Sequence, residues 1–392
     1  MVTRQDVERA YAAISKDIVR TPLKFSRRLS EMCGFRTLLK LENMQATGAF
    51  KERGALNKLL SLSPEERRRG VIAASSGNYA QAVAHHASRL GIRSKILMPR
   101  GTPLGKVVST QRFGAEVILH GDTYDDACEH ALRLAEAEGY VFVHSFDDPL
   151  VIAGQGTIAI EALADELCAD LDAIVCPVGG GGLISGIAAY VKEARPGIAV
   201  IGVEAEACPC LAKARERGAP VKLASAVSLA DGIAVRQIGR LTFEMTEKLV
   251  DDVLTVTEDE IAHAVLTLLE VEKTVVEGAG AAPLAALLNA RVPRTYERVL
   301  CIVSGGNIDV NVLNRIIVRG LGFDGRTVQF RICLRDVPGS LRRALGIIEQ
   351  HNSNVLDIIH HRYNSLSPFG SVDVTLVLET KGHEHVREIE QA

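Results

Sequence analysis

The sequence predicts an α/β protein made of two open parallel-sheet subdomains with helices on both faces, followed by a small α+β unit. Three observations carry this expectation. Short β-rich apolar runs alternate with longer helix-period segments for some 320 residues. The runs are continuously apolar and do not alternate, as strands covered on both faces do. After LGFDGRT (321–327) the pattern changes to alternating strands.

In chain order, strands are expected at TLLKLE (37–42), VIAAS (71–75), SKILMP (94–99), AEVILH (115–120), AIVCPV (173–178), AVIGVE (199–204), VLTVT (253–257) and RVLCIVS (298–304). NYAQAVAHHASRL (78–90) and YDDACEHALRLAEAEG (124–139) place Ala and Leu at i, i+3 and i+4 and read as helices. Three strands run into polar turns: SSGN at 75–78, GGGG at 179–182 and SGGN at 304–307. Ligands of open parallel sheets bind beyond the carboxyl ends of strands, so these turns are expected to build one site. The tail reads TVQFRICLRD (327–336, strand), VPGSLRRALGIIEQHN (337–352, helix), VLDIIHHRYN (355–364, strand), SVDVTLVLET (371–380, strand) and HEHVREIEQA (383–392, helix). The expected division is a catalytic domain over 1–322, with a smaller subdomain of roughly 41–150 inserted in the larger, and a β-α-β-β-α unit over 327–392 that lacks the last strand of a βαββαβ module.

Composition excludes other classes. The 392 residues are 47% hydrophobic and 24% charged, with a net charge of -3, so neither a nucleic-acid nor a membrane-surface partner is expected. Apolar stretches such as 183–191 are far shorter than a membrane span, and the charged N-terminus has no signal-peptide core. Eight scattered Cys without a CxxC pair suggest reduced thiols and a cytoplasmic location. No metal site is expected: Cys208 and Cys210 have no nearby His, and the paired histidines read as surface or core residues.

Lys51, between Phe50 and Glu52, falls at the start of a helix after the Thr47-Gly48 turn. The helix dipole and partial burial both disfavour its charged form, which prepares an amine to attack a carbonyl. A surface lysine is the competing reading. Ser75, Ser76, Gly77 and Asn78 open a helix and suit a carboxylate or phosphate, or simply cap it. Gly179, Gly180, Gly181 and Gly182 follow a strand and let backbone N–H groups converge on a phosphate, a dinucleotide loop and a structural turn being the rivals. Ser304 ends a buried-looking strand, where its hydroxyl can meet a ring nitrogen or cap the next helix.

Taken together, GAFKERGA, SSGNYAQ, VGGGGL, LADGIAV and SGGN resemble, in order and spacing, the threonine dehydratases (threonine ammonia-lyases) over roughly residues 5–320. These are pyridoxal-phosphate enzymes of the tryptophan-synthase-β class (PLP fold type II). The resemblance implies that Lys51 carries the cofactor as a Schiff base and acts as base. It further implies that Phe50 and Asn78 contact the cofactor, Asn78 at its 3'-oxygen. Gly179, Gly180, Gly181, Gly182 and Leu183 would hold the phosphate, Ser304 would face the pyridine nitrogen, and Ser75, Ser76 and Gly77 would line the substrate carboxylate pocket. The implied reaction converts L-threonine to 2-oxobutanoate and ammonia, with L-serine to pyruvate as a side activity. Ala49 and Tyr79 depart from the family's usual Ser and His. The family implies a homodimer or homotetramer.

Serine racemase or hydroxyaspartate dehydratase is the nearest alternative. A racemase needs a second acid–base group, for which Ser76 is placed, and a divalent-cation loop, in which Cys210 stands where an acidic ligand is expected. An amino-acid sensor with an inactive catalytic domain is the non-enzymatic alternative. The tail resembles an ACT domain, DVPGSL (336–341) being its strand-to-helix turn, and this implies regulation by a branched-chain amino acid, in keeping with isoleucine biosynthesis.

Overall fold

Most of the runs that fail to alternate in the sequence are buried along both faces in the structure, the two at the sheet edges, 116–119 and 252–256, being half-buried or exposed. A computed structural model describes residues 1–362 and 368–392. Strands β1 (Leu23–Phe25), β2 (Arg36–Leu41), β3 (Val71–Ala74), β4 (Ser94–Met98), β5 (Glu116–Leu119), β6 (Val141–Phe142), β7 (Ala173–Pro177), β8 (Ala199–Ala205), β9 (Asp252–Val256) and β10 (Arg298–Val303) belong to the first unit, Met1–Asp309. They form a six-stranded sheet, β1-β2-β10-β7-β8-β9, and a four-stranded sheet, β5-β4-β3-β6. The small sheet is parallel, and so is the large one except for β1, which pairs antiparallel with β2. Every residue of β3, β7 and β8 is buried, which is why these strands carry Val, Ile, Ala and Cys without a polar partner face.

The strand order brings the polar turns together. β7 and β10 are neighbours in the large sheet, and β10 also pairs with β2, which leads towards helix Lys51–Leu60. Further bonds tie residues 48–50 to the segment after β10: Phe50 N–H donates to Ser304 O (3.0 Å), Gly306 N–H donates to Gly48 O (2.9 Å), and Ala49 bridges Gly305. Gly48 has φ +76°, the left-handed conformation that glycine adopts freely.

Beneath helix Lys51–Leu60 lies a buried charge cluster. Arg53 makes charge-assisted bonds to Glu42 (2.8 Å, twice) and to Glu161 (2.7 and 2.9 Å), while Lys40 donates to Glu161 (2.6 Å) and Thr21 O (2.7 Å). Two cations and two carboxylates balance, the condition under which buried charge is tolerated.

The second unit, Val310–Ala392, consists of helix Val310–Phe323, β11 (Thr327–Arg335), helix Ser340–Gln350, β12 (Asn354–His361), β13 (Ser371–Glu379) and helix His383–Gln391. Its sheet is antiparallel in the order β11-β13-β12. Helix Val310–Phe323 groups with this unit, whereas the sequence pattern assigns residues up to 322 to the first domain. Of the expected strand 355–364, Tyr363 and Asn364 lie outside the described residues. Among the described residues no helix is long and apolar enough to cross a membrane.

Candidate active site

Every site residue named from the sequence lines one cavity of about 560 Å³ in the first unit. Phe50, Lys51, Ser75, Ser76, Gly77, Asn78, Gly179, Gly180, Gly181, Gly182, Leu183 and Ser304 are all on its wall. The carboxyl ends of β3, β7 and β10 supply all but Phe50 and Lys51, which come from the segment after β2.

Lys51 is the first residue of its helix, with Phe50 at the N-cap. Its ammonium donates to Ser145 O (3.2 Å) and lies 5.0 Å from the Phe50 ring centroid and 5.9 Å from that of Tyr79. Burial pushes its pKa down to about 8, with the facing carboxylate Glu277 pulling the other way. At pH 7 such an amine is roughly a tenth neutral, against roughly three parts in ten thousand for an ordinary lysine.

The glycine loop is a cradle with no room for side chains. A Cβ at Gly180 would sit 2.3 Å from the Phe146 ring; at Gly179, 2.9 Å from Ile233; at Gly182, 2.9 Å from Phe146 O. Gly181 caps helix Gly182–Ala194 with φ +88°. Thr242 Oγ donates to Gly180 O (2.7 Å) and fixes the loop from outside. A 13-residue helix opening on such a turn aims its dipole and first N–H groups at the cavity, an arrangement that suits a phosphate. Ser304 is buried and neutral. A buried amine of lowered pKa, a glycine cradle and a buried hydroxyl are the groups that pyridoxal phosphate requires, so the residues present fit that cofactor.

Two features escaped the sequence reading. Glu277, in EGAGAAP (277–283), is buried in the cavity wall and accepts from Asn78 Nδ2 (2.7 Å). Burial, with Asp231 nearby, pushes its carboxyl up to about 7. An acid isolated between Val-Val and Gly-Ala-Gly was the available signal. Asn307 is the second, donating to Asn78 Oδ1 (2.9 Å) and Thr47 O (2.7 Å). Tyr79, the departure from the family pattern, is buried with its hydroxyl unpartnered.

The fold and this cavity define a pyridoxal-phosphate-dependent enzyme. The family model described as "Pyridoxal-phosphate dependent enzyme" matches residues 14–305, and the chain belongs to that family. An L-threonine ammonia-lyase of Thermotoga maritima is 47% identical over 391 residues, covering 100% of this chain and 97% of its own. A solved threonine deaminase isoform 2 from Solanum lycopersicum is 35% identical with a TM-score of 0.75, covering 81% of this chain and 88% of that one. A maize serine racemase is 33% identical with a TM-score of 0.76, covering 82% and 98%.

Proposed function

We propose that this chain is a threonine ammonia-lyase, converting L-threonine to 2-oxobutanoate and ammonia, with L-serine to pyruvate as a side activity. The observation that carries the reading is Lys51, an amine of lowered pKa facing a buried neutral Ser304 across a glycine-lined cavity. The similarity to ammonia-lyases along the whole chain supports it.

Lys51, residues 179–183, Asn78 and Ser304 would hold pyridoxal phosphate, which supplies the electron sink for breaking the Cα–H bond. The chain's own part is positional and acid–base. Lys51 Nζ would hold the cofactor and, when free, would take the substrate's Cα proton. The turn 75–77 receives the substrate carboxylate at the N-terminus of helix Asn78–Arg89. Ser304 would offer the cofactor a neutral hydroxyl, not a carboxylate, and would thereby favour prompt loss of the β-hydroxyl. Water is lost from Cα and Cβ, and hydrolysis of the resulting imine gives the keto acid and ammonia.

Racemisation through Ser76 is the competing chemistry. Against it stands the segment after β8, where the racemases' cation loop would lie: Cys210 occupies the acidic-ligand position, and the two oxygens of Glu204 accept from the N–H groups of Leu211 (2.8 Å) and Ala212 (2.9 Å). Steady-state assays on threonine, serine and hydroxyaspartate, with chiral analysis of residual substrate, test the reading. Keto acid from threonine is expected; D-amino acid without keto acid would overturn it.

We further propose that the second unit is an ACT-like regulatory module. Residues 334–341 with His360, Arg362 and Val372 line a cavity of about 260 Å³. Helix Ser340–Gln350 opens there after Gly339, offering N–H groups to an amino-acid carboxylate. Isoleucine or valine is expected to shift threonine dependence by a coupling of ~1–3 kcal/mol. Titrating both into the full-length enzyme checks it, an unchanged threonine dependence being the contrary result.

A further inference from the structure

Three side chains of the cavity wall and one backbone carbonyl behind it form a chain whose direction is fixed at the carbonyl end. Thr47 C=O, a backbone acceptor, takes one hydrogen of Asn307 Nδ2 (2.7 Å). The other hydrogen of that nitrogen goes to Asn78 Oδ1 (2.9 Å). Asn78 Nδ2 in turn gives one hydrogen to Glu277 Oε1 (2.7 Å), which leaves its second for a ligand in the cavity.

An asparagine amide carries two donors at one end and an acceptor at the other, and in isolation either end can face a ligand. Here the orientation is determined. Turning Asn78 over would set its Nδ2 against the Asn307 nitrogen, a donor facing a donor, and its Oδ1 against the Glu277 oxygen, a second mismatch whenever that carboxyl is ionised. Glu277 is itself held: its N–H donates to Gly305 O (3.1 Å), and a Cβ on Gly305 would lie 2.3 Å from Glu277 Oε1. Only glycine at 305 leaves the carboxylate this place.

From this hydrogen-bond polarity we infer that Glu277 is a positioning residue that acts through Asn78, holding the amide so that its N–H end, and not its carbonyl, faces the cofactor's ring oxygen. The inference rests on the reading of Asn78 as a cofactor contact. Pyridoxal phosphate carries a phenolic oxygen at C3 that favours a donor, so a flipped amide would oppose acceptor to acceptor. Asn307 does the same work from the other side and links it to the Thr47 turn that precedes Lys51.

The test is a double-mutant cycle on cofactor affinity, read by titrating apo-protein with pyridoxal phosphate and following the visible absorbance of the lysine adduct. Asn78→Ala and Glu277→Ala are each expected to weaken binding by ~10-fold or more, and the double variant to bind no more weakly than Asn78→Ala alone. Glu277→Gln removes the charge facing Lys51 but keeps an acceptor for Asn78, and should recover affinity to within ~3-fold of wild type. The near-isosteric Asn307→Asp, which takes away the donor at the other end, should weaken binding when Asn78 is present and not when it is Ala. It also keeps the test alive if Glu277→Ala folds poorly. A full additional loss from Glu277→Ala on the Asn78→Ala background, or no recovery with Glu277→Gln, would overturn the positioning role. Unchanged cofactor affinity in Asn78→Ala would instead sink the reading of Asn78 itself.

Discussion

Of the strand-to-helix turns that face the cavity, those at 179–182 and 75–78 are built in opposite ways. The turn at 179–182 is buried throughout, and a Cβ at any of its glycines would collide with protein. The turn at 75–78 is half-buried, and a Cβ at Gly77 would meet nothing within 4 Å. Both open long helices and both offer N–H groups to an anion. The closed turn fits a group that binds once and stays; the open one leaves space for a substrate that must enter and leave. Glycine thus serves close approach in the first and open access in the second.

The largest effect should come from the residue between the two turns. Lys51→Ala is expected to lower threonine turnover by more than ~1000-fold and to remove the yellow adduct, because on the proposed reading one amine serves as anchor and base. Keto-acid release and the visible spectrum check this together. Retained turnover would mean that neither turn is organised around Lys51.

On the closed side, Ser304→Asp should lower turnover by ~10–100-fold and raise transamination-type side products, since it places a carboxylate where the site is neutral. Product analysis by chromatography decides it, an unchanged product ratio counting against the role of Ser304. Below the site, Arg53→Ala leaves Glu42 and Glu161 without their bidentate partner and should cost ~3–5 kcal/mol of stability, measured by urea unfolding of the apo-protein. A loss below ~1 kcal/mol would show that the cluster does not fix the helix carrying Lys51.

The smallest effect is a pH profile. The neutral amine is the deprotonated form, so the rate of cofactor capture by apo-protein should rise ~10-fold per pH unit below about 8 and level off above it. Stopped-flow absorbance reads this; a rate still climbing at pH 10 would mean that burial does not lower the Lys51 pKa.

Much of this was legible in the sequence because burial on both faces leaves a simple mark. Strands β2, β3, β4, β7, β8 and β10 stood out for that reason, and the edge strands β5 and β9, less buried, stood out as apolar runs only. β1 and β6, of three and two residues, are too short to carry a pattern, and β1 runs antiparallel as an edge. The residues that line the cavity were legible because glycine runs after strands and a lysine at a helix start have a chemical reason to be there. Arg53 and Glu42 were not: charged residues near a helix start read as solvent-facing, and only the fold reveals that they meet Glu161 and Lys40 in the core. Glu277 was hidden likewise, since an acid before Gly-Ala-Gly is also what an ordinary helix start looks like.

The division of labour between the turns can be measured directly in two single-methyl variants, Gly180→Ala and Gly77→Ala, by determining cofactor dissociation constant and threonine KM for each. Gly180→Ala should weaken cofactor binding by ~100-fold, because its methyl must displace the Phe146 ring. Gly77→Ala should leave cofactor affinity within ~3-fold of wild type and raise the threonine KM by ~10-fold. If Gly77→Ala instead weakened the cofactor as much as Gly180→Ala, with KM unmoved, the assignment of a fixed group to one turn and the substrate to the other would be contradicted.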